Sequence, residues 1–327
     1  MPTERLVHIV DEVPELSGVT DLTMVLVLDG FLDAGNAAAH AARHLSDLDT
    51  GHGTPGPVVA TFDVDQFHDY RARRPAMSFV RDHYGSYDAP RLAVRLLHDN
   101  GGTPYLLLHG PEPDNRWEAF ARAFRDVLER LSVTRVIALG SVPMAVPHTR
   151  PLAITPHANR PELVPGASPW RGELRIPSSA QSLLEVRLGE WGHDMLGFVA
   201  HIPHYLAQLD YPKAAAVLLE QVELAGRLTI DLSELHELAT ERAGEIERYL
   251  ASNDEVGEVV DALEQQYDAF ERAEGSGQGL LASDGPLPTG EEIGQQFEQF
   301  LAGLEAQDDN DANDPFNDPF NDSGRDT

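Results

Sequence analysis

The run Leu22–Asp29, LTMVLVLD, is the stretch that most restricts how this chain can fold. Its apolar residues are almost continuous over the length of a strand and end at Gly30, a pattern typical of a strand buried on both faces of a sheet. A glycine-containing turn and a segment of helical composition, residues 37–45, follow directly. Strand, turn and helix in this order make the first half of a βαβ unit, so the sequence predicts a sheet covered by helices.

Later segments repeat this alternation. Further strands are predicted at residues 58–62, 91–98, 104–109, 136–140, 152–155 and 195–200. Helices are predicted at residues 115–131, 178–188 and 212–228. In the first of these helices, Asn115 and Glu118 have the spacing of a capping box. The sequence therefore predicts an α/β core domain over residues 1–230, with a mainly parallel or mixed sheet and helices on both faces.

The pattern changes after residue 230. Residues 231–274 contain two long amphipathic stripes, which predict a helical hairpin that packs on itself or meets a neighbouring protein. Residues 275–288 are rich in glycine and serine and predict a linker, and residues 289–305 predict a C-terminal helix.

The last segment, residues 306–327, is predicted to be a disordered acidic tail. Residues 308–327 hold seven aspartates and one arginine with few apolar side chains. The tail repeats the sequence Asn-Asp-Pro-Phe, so Phe316 and Phe320 are candidate anchors for a protein partner. A tail that only adds solubility is the alternative.

Charge and composition exclude several classes of partner. The chain has 54 acidic and 24 basic residues, a net charge of −30, which disfavours binding to nucleic acid or to an anionic membrane. It has no cysteine, and we find no secretory signal or membrane-spanning run, so we expect a cytoplasmic protein. No glycine-rich nucleotide motif is present, so we expect no cofactor.

Two loops that follow predicted strands carry the candidate site for a ligand. Backbone N–H groups at residues 30–36, together with Asn36, Thr149 and Arg150, would bind an anion, and Asp33 or His148 would act as acid or base. The alternative is a tight turn in which Asp33 or Asn36 caps a helix.

A second catalytic hypothesis uses Ser141 as a nucleophile, with His148 or His204 as its base and Asp33 as the group that orients the base. The surrounding sequence lacks the G-x-S-x-G pattern, and a serine at the end of a strand is typical of a turn, so we expect no catalytic residue there. His193, Asp194, His201 and His204 are metal-ligand types, but His193 and His201 flank a predicted strand and lie too far apart to share one ion. We therefore expect no metal site.

Arg71, Arg73 and Arg74 form the one basic cluster of the acidic chain. They predict either a contact with an acidic partner or ion pairs with the chain's own carboxylates.

Six long motifs resemble the bacterial branch of the proteasome assembly chaperone family, second-chaperone type. They read GFLDAGNAAAH, FDVDQFHDYRARRP, LLHGPEPDNRW, ALGSVPMAVPHTRP, LLEVRLGEWGHDMLGFVAHIPHYLAQ and LPTGEEIGQQFEQFL. The resemblance spans roughly residues 5–304. It implies a core similar to the phosphorylase/hydrolase-like fold and homo-oligomers, with a trimer as one candidate form. It implies no reaction, because the eukaryotic relatives act by binding.

Two functions remain open from the sequence. The first is a non-enzymatic, homo-oligomeric interaction protein of assembly-chaperone type with an unidentified protein partner. The second is an enzyme or small-molecule binder of nucleoside-phosphorylase type that uses the loops at residues 30–36 and 141–150. A closed pocket where the two loops meet would favour the second function, whereas a filled site with exposed apolar surface would favour the first.

Overall fold

The computed structural model describes residues 5–30, 32–50, 56–164, 173 and 175–275. The chain divides into two compact units, Met1–Asp268 and Ala269–Thr327. Of the second unit, residues 269–275 are described and are helical. Most of the predicted linker, the predicted last helix and the tail with Phe316 and Phe320 lie outside the described residues. The predicted domain boundaries remain predictions.

The core is a mixed sheet of eight strands in the order β1-β3-β6-β7-β2-β8-β10-β9, beside a separate two-stranded sheet, β4-β5. The strands are β1 (Val7–Ile9), β2 (Leu22–Asp29), β3 (Val58–Phe62), β4 (Met77–Val80), β5 (His83–Tyr87), β6 (Ala93–His98), β7 (Pro104–Pro111), β8 (Val133–Met144), β9 (Ile154–Ala158) and β10 (Asp194–Pro203). The four central strands β7, β2, β8 and β10 are parallel, and the flanking pairs are antiparallel. The predicted mixed α/β sheet is therefore confirmed.

Helices cover both faces of this sheet. They are α1 (Ala37–Thr50), α2 (Trp117–Leu131), α3 (Ala180–Trp191), α4 (Pro212–Gly226), α5 (Ser233–Ala251) and α6 (Asp254–Gly275). Alternate residues of β2 face two separate hydrophobic cores. Val25 and Val27 pack in the core that contains residues of α1, α4 and α5. Met24 and Leu26 pack in the core that contains residues of α2 and α3. This two-sided burial explains the continuous apolar run, since each such side chain contributes about 1.5–3 kcal/mol when buried.

Strand β8 continues beyond the predicted end at Gly140 and reaches Met144, in spite of Pro143. It pairs with β10 along this whole extension, whereas its pairing with β2 stops at Ala138. A proline is tolerated there because the outer part of β8 has a single partner strand and behaves as an edge. The proline-punctuated loop is therefore shorter than predicted and begins after Met144.

The predicted capping box of α2 is wrong. The helix begins at Trp117, and its N-cap is Arg116, with φ 58° and no side-chain cap. The backbone N–H of Asn115 donates to Phe67 O at 3.1 Å, and Glu118 binds Arg187 at 2.6 Å. Contacts with distant parts of the chain thus replace the local cap.

Strands β1, β4 and β5 are elements that the sequence analysis did not predict. In the described parts of the chain, no helix is long and apolar enough to cross a membrane.

Candidate functional site

The two candidate loops meet at the carboxyl edge of the central strands, where Asp33 and Ser141 form a β-bridge. The Ser141 hydroxyl lies 2.8 Å from both Asp33 Oδ1 and Ala34 O, so its single hydrogen faces two acceptors. The same carboxylate accepts the backbone N–H groups of Ala38 and Ala39, each at 2.9 Å. Asp33 therefore caps α1, and its hydrogen bond with the buried Ser141 links this helix to β8.

Two backbone donors of the first loop also bind acceptors within the chain. Gly35 N–H donates to Ala207 O at 2.7 Å, and Asn36 N–H to Asp33 O at 3.0 Å. Gly35 has φ 68°, and a Cβ at this position would lie 3.0 Å from Tyr211 Cβ, so a side chain here would be both strained and crowded. Two of the N–H groups that were predicted to bind an anion, those of Gly35 and Asn36, thus have acceptors within the protein.

The side chain of Asn36 contacts the segment that precedes α4. Its Nδ2 donates to Asp210 Oδ1 at 2.7 Å, and His40 Nε2 lies 3.1 Å from the same oxygen. These contacts with Asn36 and His40 hold the pKa of Asp210 below its ordinary value. Asn36 therefore connects α1 to the neighbouring chain segment.

Hydrogen bonds connect the second loop to α6. Arg150 binds Asp268 through two hydrogen bonds, from Nε at 2.8 Å and from Nη2 at 2.7 Å, and Nη2 also lies 3.3 Å from Glu264 Oε2. Thr149 Oγ1 donates to Glu264 Oε1 at 2.5 Å. The hydrogen bond to Asp268 raises the pKa of Arg150. The guanidinium that was predicted to bind an anion is thus neutralised by two carboxylates of the chain.

His148 pairs with Tyr205, which follows β10. The Tyr205 hydroxyl accepts the His148 backbone N–H at 2.8 Å and forms a second hydrogen bond, of 2.7 Å, with His148 Nδ1. Burial lowers the pKa of His148 and raises the pKa of Tyr205 to about 12, so both groups are neutral near pH 7. The adjoining cavity, which His201 and Tyr211 also line, measures about 10 Å³. It is no larger than the smallest space that holds one water molecule.

The predicted site residues therefore fall into two groups. Asp33 and Ser141 are in contact, whereas the hydrogen bonds of His148, Thr149 and Arg150 lead to Tyr205 and α6. In the part of the chain that the structure describes, no group of three or more histidine, cysteine or carboxylate side chains is arranged to hold a metal ion.

The basic cluster has two environments. Arg73 binds Asp114, with Nη2 2.8 Å from Oδ1, and its Nη2 also donates to Glu112 O at 2.5 Å. Arg71 and Arg74 are exposed, and their side chains make no hydrogen bond or ion pair with another described residue. Arg73 thus holds its loop against the core, while its two neighbours remain available to a partner.

The hairpin β4–β5, which follows this cluster, is the surface that the sequence analysis missed. Its large side chains face solvent: the exposed fractions are 61% for Phe79 and 72% for Tyr84, and Met77, Val80 and Tyr87 are exposed as well. The Phe79 and Tyr84 rings stack edge to face with centroids 5.2 Å apart. The aromatic and β-branched residues of this stretch are the signal that could have indicated a strand pair.

Further exposed apolar side chains lie on the C-terminal helices. Leu238 and Tyr249 of α5 and Val259 of α6 are exposed. The inner sides of the same helices are buried through Leu235, Ile246 and other residues. The helices therefore combine a packed face with an outer face that is mostly charged and carries three exposed apolar side chains.

The family of the chain follows from comparison with known proteins. A family model described as the PAC2 family matches residues 27–250 of the 327 residues. The chain belongs to the PAC2 family. This confirms the resemblance to proteasome assembly chaperones that the six motifs indicate. The PAC2 match contains both candidate loops, the basic cluster and the β4–β5 hairpin.

Solved structures agree with this PAC2 assignment. The chain is similar to a Mycobacterium tuberculosis protein of unknown function, with 44% identity, a TM-score of 0.77 and coverage of 84% of this chain and 93% of that one. A Corynebacterium glutamicum protein of unknown function has 33% identity, a TM-score of 0.75 and coverage of 81% and 98%. A Mycobacterium tuberculosis proteasome-assembly chaperone homologue has 26% identity, a TM-score of 0.66 and coverage of 73% and 100%. No curated protein matches this PAC2 chain.

Proposed function

We propose that this PAC2 protein acts by binding other proteins, as an assembly chaperone that works as a cytoplasmic homo-oligomer, with a trimer as one candidate form. The observation that carries the proposal is the β4–β5 hairpin. Its two strands form a sheet of their own and expose five large apolar side chains: Met77, Phe79, Val80, Tyr84 and Tyr87. Exposed patches of this kind mark sites of protein interaction, and aromatic residues dominate the energetics of such contacts.

The client chemistry follows from the surroundings of the hairpin. Arg71 and Arg74 precede it in sequence, are exposed and have no described side-chain partner. A client with an apolar surface bordered by carboxylates would satisfy both features. Because one similar structure is a proteasome-assembly chaperone homologue, we propose proteasome subunits as the client.

The filled carboxyl edge supports binding rather than catalysis. Asp33 accepts the N–H groups of Ala38 and Ala39. Arg150 is paired with two carboxylates, and the cavity beside His148 measures about 10 Å³. A ligand site of the nucleoside-phosphorylase type needs free donors and a pocket of several hundred cubic ångströms, about 300–1,000 Å³.

The proposal is tested with a double variant of the hairpin, Phe79→Ser with Tyr84→Ser. Both side chains are exposed, so we expect the melting temperature to stay within about 2 °C of the wild-type value. Binding of purified proteasome subunits from the source organism should weaken at least tenfold in sedimentation experiments, because the aromatic contacts are lost. The matched control is Leu224→Ser, which removes an apolar side chain of 76% exposure from α4.

Two outcomes would contradict the proposal. One is a wild-type chain that sediments as a monomer and binds no proteasome subunit. The other is a saturable rise in melting temperature with phosphate, nucleosides or nucleobases that Arg150→Ala abolishes, since this would show a ligand site at the carboxyl edge.

A further inference from the structure

Strand β1 forms one edge of the main sheet, and among the described residues no further strand pairs with its outer side. It is the terminal strand, and β3 is its partner. The residues on either side of β1 both bond to the β3 side: Leu6 O accepts from Asp63 and Val10 N–H donates to Val59, each at 2.9 Å. Because backbone orientation alternates in an antiparallel pair, Val7 and Ile9 direct their N–H and C=O groups away from the sheet. Such an edge is a template for one more strand.

A groove runs beside this edge. It lies between β1 and α2, measures about 550 Å³ and is lined by Val7 and Ile9 on one side and Ala119 and Ala123 on the other. The two alanines are one helical turn apart, and their small side chains leave the space that larger residues would fill. A groove between an edge strand and a helix accommodates alternate side chains of an added strand.

The charges at the groove indicate what it binds. Arg5 and Arg122 line it, are exposed and make no hydrogen bond or ion pair with another described residue. Arg125, the third arginine of the lining, is paired with Glu129 at 3.5 Å. Asp11 and Asp126 also line the groove, but Asp126 lies 3.7 Å from Arg125. Arg122 lies close enough to Glu118 to help lower the pKa of that carboxyl, but neither Arg122 nor Arg5 forms an ion pair with another described residue. In a chain of net charge −30, two such exposed arginines beside a strand edge favour a ligand that carries carboxylates.

The far end of the edge is already occupied. Arg130 Nη2 donates to Asp11 O at 2.6 Å. Asp11 O is the next carbonyl after that of Ile9 on the outer side of the strand, so an added strand cannot bind it. The free edge is therefore short, and it suits a brief extended segment rather than a long strand.

We propose that the groove between β1 and α2 binds a short, extended, acidic segment of a partner protein as an added strand. The backbone of the segment pairs with Val7 and Ile9, its apolar side chains enter the groove beside Ala119, and a carboxylate binds Arg122. The inference rests on the proposed function, because it names the chemistry of a segment that a binding protein recognises. A second copy fits less well, since it would bring its own net charge of −30 to this edge.

The test uses the full chain and a displayed library of random eight-residue peptides. Peptides are selected on the wild-type chain and counter-selected on Ala119→Leu, which fills the groove. We expect enriched sequences with alternating β-branched or aromatic residues and at least one aspartate or glutamate. A synthetic peptide of the consensus should slow amide hydrogen exchange at Val7 and Ile9 and bind Arg122→Glu at least tenfold more weakly. Arg43→Glu, an equal change of charge on the exposed side of α1, should leave binding unchanged.

Arg122→Glu changes an exposed residue and keeps the test valid if Ala119→Leu fails to fold. The proposal is overturned if no sequence is enriched over the counter-selection, if the enriched sequences are basic, or if the peptide protects amides elsewhere. Protection of Val7 and Ile9 without peptide, together with sedimentation as a dimer, would assign the edge to a second copy and also overturn it. The hairpin variant Phe79→Ser with Tyr84→Ser should bind the peptide normally, so this site and the proposed client site can fail separately.

Discussion

At the level of single residues, carboxylate side chains fix the conformation of the loops through hydrogen bonds. Asp33 holds two backbone N–H groups and the Ser141 hydroxyl, and Asp114 holds the Asp69 N–H at 2.7 Å and the Arg73 guanidinium. Each carboxylate thereby satisfies donors that would otherwise be left without a partner, at a gain of about 1.5–3 kcal/mol for each charged hydrogen bond.

Asp114 makes a prediction for stability at acid pH. Burial opposes ionisation of this residue, but hydrogen bonds from Arg73 and from the Asp69 backbone prevail and hold the pKa of Asp114 below its ordinary value. A depressed carboxyl pKa contributes stability above the unfolded value of about 3.9, and this contribution is lost as the pH falls through the folded pKa. We expect Asp114→Asn to lower the urea midpoint clearly at pH 6 and much less at pH 3. Equal losses at both pH values would show that the charge of Asp114 is irrelevant.

Elements with a strong local signal were predictable from the sequence. Strands β2 and β3 begin and end at the predicted residues. Their apolar runs have the length and pattern of a buried strand, which few other structures share. Strand β1 was missed because its three residues are too few to show an alternating pattern. The hairpin β4–β5 was missed because a register shift between Met77 and Phe79 interrupts the alternation, although its aromatic and β-branched residues are typical of strands. The sequence also placed the two loops at the carboxyl edge, but it could not show that Arg150 meets Asp268, which lies 118 positions away.

Helix α6 makes a prediction at the element scale through its contacts with Arg150 and Thr149. Arg150→Ala removes three hydrogen bonds to Glu264 and Asp268, so we expect faster amide hydrogen exchange in α6 and earlier proteolytic cleavage there, with α1 and α4 unchanged. Arg150→Lys should restore only part of the protection, because an ammonium cannot bind a carboxylate through two fixed N–H groups. Arg248→Ala on α5 is the control, since among the described residues this side chain donates to Gly244 O of its own helix and to no residue of α6. Unchanged exchange in α6 would show that the apolar face alone holds the helix.

Net charge acts at the scale of the whole molecule. Even if every basic side chain were paired, the 54 acidic residues would exceed the 24 basic ones by 30, and these charges repel one another across the surface. Apolar contacts must overcome this repulsion in the folded chain and in any oligomer.

Salt should therefore stabilise this protein. Raising sodium chloride from about 0.02 M to about 0.5 M shortens the Debye length from about 20 Å to about 4 Å and screens the repulsion. We expect the melting temperature to rise by several degrees and the sedimentation coefficient to move toward larger species. A fall in melting temperature would show that the surface ion pairs, which salt also screens, outweigh the excess of negative charge.

The link between Arg150 and α6 has a consequence for the order in which the protein is made. The loop leaves the ribosome more than 100 residues before Glu264 and Asp268 do, since Arg150 precedes them by 114 and 118 positions. Domains fold from the N-terminus as the chain is synthesised, at about 5–20 residues per second, so the sheet can form while its carboxyl edge is still bare. Arg150 can therefore meet Glu264 and Asp268 only several seconds after its own synthesis.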